Sequence, residues 1–484
     1  MRCLVSLPAL LLPALLAAEP CALDIEPAAT LLVPYVAVEM SGDEPDPSGA
    51  TTVLRVTNTA AEAALIQLTV WSADGVPALA LTEVLSGFDM WTVDFRDVLS
   101  GHWSRFDTSR ANAAPPNTDT FPFRRTPFEW GPDGRSFNAL CVGKAPFLVP
   151  WPRGLATPET TSTTPGEGCA MPYGDAAGLA VAATVVETLS APLHARVHRG
   201  CGEIPATRHS MSWLSTLTAN PLFFYATVDV VKTCTALNPA IGEYIEYTLD
   251  DRNVLIGDVL YLGEAHSGFG PVMLGSMPAV HVQAGPSPEW AAAHPGPYEA
   301  TTGVEDRREP LPTAFAARYA NETEATARFA RRSALMLWKT TTELAAADGV
   351  RDCGSYMYYA WDEDEHVLTR DVDCPTSPCG DADVDPNLFP FRTQLVSFDA
   401  ANFDLPGRSG WILLLLPPSY RGFVEDPSPG PATPTTIQGV AAVHHEVTLP
   451  GGTGTAWSEA AVMGNAHCEP ARPPTAPRRR LGSR

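Results

Sequence analysis

The stretch Thr51–Trp71, TTVLRVTNTAAEAALIQLTVW, decides the fold class. In an extended chain Thr52, Leu54 and Val56 point one way, and Val53, Arg55 and Thr57 the other. A polar turn over Asn58 to Ala63 follows. Then Ile66, Leu68 and Val70 alternate with Gln67, Thr69 and Trp71. Period two puts one set on a core and the other on an outer face, as in half-buried antiparallel strands. Asp74-Gly75 signals a turn, and beyond it Trp91, Val93 and Phe95 alternate with Met90, Thr92 and Asp94. Short alternating runs at close spacing predict a sandwich in which one face of each sheet meets a core.

Working outward, Leu31 to Val38 supplies the first strand. Phe224, Ala226, Val228 and Val230 alternate with Tyr225, Thr227 and Asp229. Strands are also expected at Val254–Leu262, Ala279–Val282, Phe315–Tyr319, Ala334–Trp338, Tyr356–Trp361, Gln394–Phe398 and Trp411–Leu416. Val443, His445, Val447 and Leu449 alternate with His444, Glu446 and Thr448. One helix is predicted between Asp175, an N-cap, and Pro192, with Leu179, Ala183, Val186 and Leu189 at helical spacing. A second is expected after Asn321, where Glu324 and Arg328 sit four apart.

The predicted fold is mostly β: two antiparallel β-sandwich domains, immunoglobulin-like or jelly-roll-like, with long loops and one or two short helices. The counts of 47 Pro and 37 Gly agree with many turns. The first domain is expected over 23–286 with an insertion at about 109–218, and the second over 298–468. Pro-rich Ser287 to Pro297 joins them, and 469–484 reads as a disordered tail.

Residues 1–18 read as a signal peptide. Arg2 precedes an apolar run from Leu4 to Leu16, and Leu16-Ala17-Ala18 offers small residues for cleavage. That predicts a secreted or periplasmic protein. The longest later apolar run, Trp411 to Leu416, is far short of the ~20 residues of a spanning helix, so no transmembrane anchor is expected. Cys21, Cys141, Cys169, Cys201, Cys234, Cys353, Cys374, Cys379 and Cys468 are read first as a disulfide framework, because an exported chain meets an oxidising compartment. With 55 acids against 32 bases, net −23, the surface repels phosphate backbones and excludes nucleic acid as the expected partner. Lysine is confined to Lys144, Lys232 and Lys339.

The main chemical lead is the acid-rich segment Asp362 to Asn387. Asp362, Glu363, Asp364 and Glu365 form one run; Asp371 and Asp373 follow; Asp381, Asp383, Asp385 and Asn387 occupy every second position. Calcium takes six to eight hard oxygens, so Asp381, Asp383, Asp385 and Asn387 are candidate calcium ligands. An EF-hand loop they are not: Pro386 stands where its Gly belongs and Arg392 where its Glu belongs. The bland reading is a solvated acidic loop pinned by Cys374 and Cys379.

Other motifs fall short. His444-His445-Glu446 lies on a predicted strand, where neighbours face opposite ways and cannot share a metal. Gly407-Arg408-Ser409-Gly410 nears a nucleophile elbow with its second glycine one place early. The eleven tryptophans are read as core before sugar platform. Asn321-Glu322-Thr323 is a glycosylation sequon.

Thr51 to Leu99, with Phe223 to Thr235 and Arg308 to Asn321, resembles a group of uncharacterised exported bacterial proteins. The first piece is similar to the strand–turn–strand core of bacterial immunoglobulin-like modules. That resemblance implies a β-sandwich at the cell exterior and transfers no catalytic residue. The expected function is a secreted, non-enzymatic binding or structural component of the envelope or extracellular space, with a protein or glycan ligand. No cofactor is expected beyond calcium. The alternative is a secreted hydrolase with a dispersed active site.

Overall fold

The computed structural model describes residues 26–101 and, with short gaps, 221–340, 357–370, 391–416 and 437–464. It also describes a helix at 182–190 and a few two-residue strand pieces between 129 and 203. The first-half strands are β1 (Thr30–Ser41), β2 (Thr51–Asn58), β3 (Ala64–Ser72), β4 (Pro77–Leu85), β5 (Met90–Asp94), β6 (Pro221–Val230), β7 (Leu255–Leu262), β8 (Met273–Pro278) and β9 (Val280–Val282). The later strands are β10 (Ala314–Ala320), β11 (Ala330–Lys339), β12 (Met357–Asp362), β13 (Val367–Arg370), β14 (Thr393–Ser397), β15 (Ser409–Leu415), β16 (Gly439–Thr448), β17 (Gly454–Ala460) and β18 (Val462–Gly464). Helices are short: α1 (Phe95–Leu99), α2 (182–190) and α3 (Gly242–Tyr247). The mostly-β class is therefore observed.

The strands form four larger sheets. Sheet I runs β9-β1-β6-β3-β4, with Phe147–Leu148 along its far edge; sheet II runs β8-β7-β2-β5. Sheet III runs β13-β12-β15-β10-β18, and sheet IV β14-β11-β16-β17. The alternation in Thr51–Trp71 is seen directly. Leu54 and Val56 of sheet II meet Ile66, Leu68 and Val70 of sheet I in one core, joined by Leu31, Val228 and Val259. Ala182, Val185, Val186 and Leu189 form the buried stripe of α2 at helical spacing, and the last three join the same core. The Asp74-Gly75 turn is present, with Gly75 at φ +84 where glycine carries no steric penalty.

Sheet I is covered on both sides, which one-face alternation does not predict. Its second face carries Leu32, Trp71 and Tyr225, which pack on Trp338 and Val440 of sheet IV. Trp71 stacks on Tyr225 at 5.6 Å between centroids, and Tyr225 meets Trp338 edge-on at 5.7 Å. Sheet IV in turn sets Leu335, Leu337 and Val443 against Phe315, Tyr358, Ile412 and Leu414 of sheet III. Sheet I thus packs on sheets II and IV, and sheet IV on sheets I and III, while β8 of sheet II also runs beside β17 of sheet IV; sheet III turns its other face away from these cores.

Polar residues of β6 are consequently interior. Asp229 is fully buried and accepts from Thr30 Oγ1 at 2.6 Å, Tyr244 Oη at 2.9 Å and Tyr298 Oη at 2.9 Å. Arg308, 1% exposed, donates to Thr30 Oγ1 and to Asp251 Oδ1. Burial pushes the Asp229 carboxyl up despite the Arg308 charge, and pushes Asp306 up to about 6. Sequence periodicity put Asp229 on an outer face. The second covering layer reverses that, and the donors above replace the lost water.

The expected disulfide framework is corrected. No cysteine pair lies at disulfide distance among the described residues, and the nine cysteines themselves lie outside those residues. The described fold is held by sheet hydrogen bonds and the shared cores. The leader at 1–18, the tail at 469–484, the second predicted helix and nearly all of the 109–218 insertion lie outside the described residues.

Candidate functional site

Sheet III carries the one large aromatic exposed on a strand among the described residues, Trp411 at 42%. Its strands show why. Tyr358, Ala360, Ile412 and Leu414 point into the core, so Tyr359, Trp361, Trp411 and Leu413 point outward. Register sets them in rows across the sheet. Trp361 pairs with Trp411, and Trp411 with Arg318; Tyr359 pairs with Leu413, and Leu413 with Ala316. Tyr359 and Trp361 stack at 6.3 Å, and the Arg318 guanidinium lies 5.5 Å from the Trp411 ring centroid. The result is a flat aromatic shelf bordering a cavity of about 760 Å³, whose rim includes Asp362 and Glu363.

Gly410 makes this row possible. A Cβ there would sit 1.8 Å from the Trp361 carbonyl oxygen, so only glycine lets β15 lie this close to β12. Gly407-Arg408-Ser409-Gly410 therefore builds the start of a strand, with Ser409 paired to Ala320, and not a nucleophile elbow.

At one end of the shelf the β12–β13 turn gathers Asp362, Asp364 and His366, whose ligating atoms lie within 4.8 Å of one another. Two carboxylates and an imidazole suit a transition metal better than calcium. Both Asp362 oxygens are already engaged, however. Oδ1 accepts the Asp364 and His366 backbone N–H at 2.9 Å, and Oδ2 lies 2.9 Å from His366 Nδ1. The hydrogen bond from Asp362, with its charge, holds His366 above its ordinary pKa. Burial works against the Asp362 charge, but the His366 and backbone hydrogen bonds outweigh it and hold the carboxyl low. These bonds shape the turn whether or not an ion joins them.

Beside the shelf lies a second cavity of about 370 Å³, lined by Arg318, Arg331, Arg332, Glu363, His445 and Glu446 among others. Arg318 Nη2 donates to Glu363 Oε1 at 2.8 Å. Burial pushes Glu446 up, against the pull of Arg332. Ser333 Oγ lies 2.9 Å from His445 Nδ1, a serine–histidine contact that invites comparison with a catalytic pair. Its hydroxyl donates to Ala320 O at 3.0 Å and accepts Ala320 N–H at 2.9 Å. A nucleophile must direct its proton at its base; here a backbone carbonyl takes it, and the pair clasps β10 to β11.

His444 and His445 do lie on a strand and face opposite ways. Burial, with His445 beside it, pushes His444 down to about 3. Asp381, Asp383, Asp385 and Asn387 lie outside the described residues. The shelf escaped sequence reading because Trp411–Leu416 is apolar throughout. With no polar partner in alternation, nothing in the run marks which set faces out.

No protein-family model matches the chain, and no curated protein matches it. Among solved structures, a similarity covers 91% of this chain and 29% of an α-L-rhamnosidase from Streptomyces avermitilis complexed with L-rhamnose. The identity is 10% and the TM-score 0.16. That score carries no argument about this chain, which spans less than a third of that enzyme. No described helix is long and apolar enough to cross a membrane.

Proposed function

We propose that this protein handles carbohydrate outside the cell, gripping sugar rings on the Trp361–Trp411 shelf. The carrying observation is the outward row Trp361, Trp411 and Arg318 on sheet III. Aromatic faces carry negative charge density and attract the weakly positive C–H face of a sugar ring while removing it from water. Cross-strand pairing puts the two indoles, Trp361 and Trp411, in one outward row. Export by the 1–18 leader and a division into sandwich units at 23–286 and 298–468 complete the proposal. Calcium at Asp381, Asp383, Asp385 and Asn387 also remains a proposal, tested by melting with and without chelator.

A second reading, hydrolysis at the same face, is favoured by the Asp362–Asp364–His366 cluster at the shelf's rim. Ligand groups gathered there favour a working site over a purely architectural one. The two readings separate in one assay. Trp411→Ala is expected to weaken retention on insoluble polysaccharides by about tenfold or more, about 1.4 kcal/mol for each tenfold step. Unchanged retention would sink the shelf. Release of reducing ends, lost in Asp362→Ala, would establish hydrolysis.

A further inference from the structure

We infer that Asp306 is a proton-operated latch: a proton taken up inside the fold fastens the connection between β9 and β10 to the end of sheet I, and its loss loosens that connection.

The charge count comes from the geometry. Asp229 and Asp306 are wholly buried, and Arg308 is 1% exposed. The Arg308 guanidinium is bonded elsewhere: to Asp251 Oδ1 at 3.0 Å, to the Asp250 carbonyl at 3.1 Å and to Thr30 Oγ1 at 2.9 Å. Asp251 in turn also pairs with Arg307 at 2.6 Å. Two buried carboxylates therefore face one guanidinium whose ion pair is with a third. Without water to solvate the excess negative charge, a proton on one carboxylate is the stable arrangement. Hydrogen bonding selects which one. Asp229 accepts from the hydroxyls of Thr30, Tyr244 and Tyr298, which suit an ionised group. Asp306 accepts two backbone N–H groups, from Arg308 at 3.0 Å and Tyr298 at 3.3 Å. Gly296 closes over it, where a Cβ would lie 2.7 Å from Asp306 Oδ2. The charged and titratable groups facing it are Tyr298, Arg307 and Arg308 of the same connection, Asp229 of β6, Tyr244 of α3 and Asp251 of the turn before β7. Burial lifts the Asp306 carboxyl to about 6; Arg308 and the two N–H bonds pull it down, and the Asp229 charge adds to the rise.

The position gives the proton its effect. The connection runs on to Leu311, which packs with Trp71, Tyr225 and Trp338 and donates its N–H to Gln438. What holds Asp306 therefore holds the seam between sheets I and IV. The docked connection binds the proton more tightly than an opened one, where the carboxyl returns to its ordinary 3.8. The added stability is complete below that ordinary value and is lost as pH rises through about 6. Acid closes the latch and neutral pH loosens it.

The test is hydrogen exchange of the full chain at pH 5 and pH 7.5, corrected for the intrinsic pH dependence of exchange. Protection of the Tyr298, Arg308 and Leu311 amides should be about tenfold greater at pH 5, the factor set by a carboxyl that moves between about 6 and 3.8. Amides of β15 in sheet III should keep the same protection at both. Asp306→Asn, neutral at every pH, should hold the three amides at one level throughout. Constant protection in the parent protein, a fall shared equally by β15, or a fall that persists in Asp306→Asn would each overturn the inference. Should that variant misfold, a ¹³C carboxyl titration of the aspartate-labelled parent decides. One aspartate with its midpoint at about 6 is expected, and no aspartate titrating above pH 5 would overturn the latch.

Discussion

At the scale of single residues, polar groups were the hardest to place from sequence and have the largest consequences. Asp229 sits in an alternating strand that reads as half exposed, yet it receives hydrogen bonds from Thr30, Tyr244 and Tyr298. Removing it takes an acceptor from two buried phenols, Tyr244 and Tyr298, and one of the carboxylates that face the buried Arg308. Asp229→Ala should therefore cost about 3–5 kcal/mol in urea unfolding, far more than a surface Asp→Ala. His366 gives a second check. Its pKa in the folded protein is raised above the ordinary 6.5 by Asp362. The pair's contribution to stability is then fully present below the unfolded value and is lost as pH rises through the folded one. A proton NMR titration should find His366 above 6.5, and Asp362→Asn should bring it down.

At the scale of elements, strands were legible wherever polar residues mark one face. β2, β3 and β6 follow the predicted runs closely, and the helix after Asp175 forms at 182–190. β15 was legible as a strand but not in its facing, because Trp411–Leu416 has no polar phase. There the partner strands decide: Ile412 and Leu414 are drawn into the core with Tyr358 and Phe315, and Trp411 is left outside. Gly410 is the hinge of that arrangement. Gly410→Ala should push β15 off β12, lowering stability by more than the ~1 kcal/mol of a propensity change and weakening polysaccharide retention along with Trp411→Ala. Normal binding by a well-folded Gly410→Ala protein would contradict the close approach of the two strands.

At the scale of the whole molecule, the four sheets are tied by the Trp71–Tyr225–Trp338 cluster, by Phe223 against Phe391 at 5.8 Å, and by the Leu311 N–H donating to Gln438 at 2.8 Å. Unfolding should accordingly be a single transition by both tryptophan fluorescence and circular dichroism. Two resolved transitions would contradict this expectation. The sequence by itself determined the mostly-β class, the strand positions and the acidic charge, because these follow from local periodicity and composition. Tertiary structure alone decided that sheet I is covered twice, that Asp229 is interior, and that Trp361, Trp411 and Arg318 share an outer face. Burial depends on which layers meet, and no local run of residues contains that.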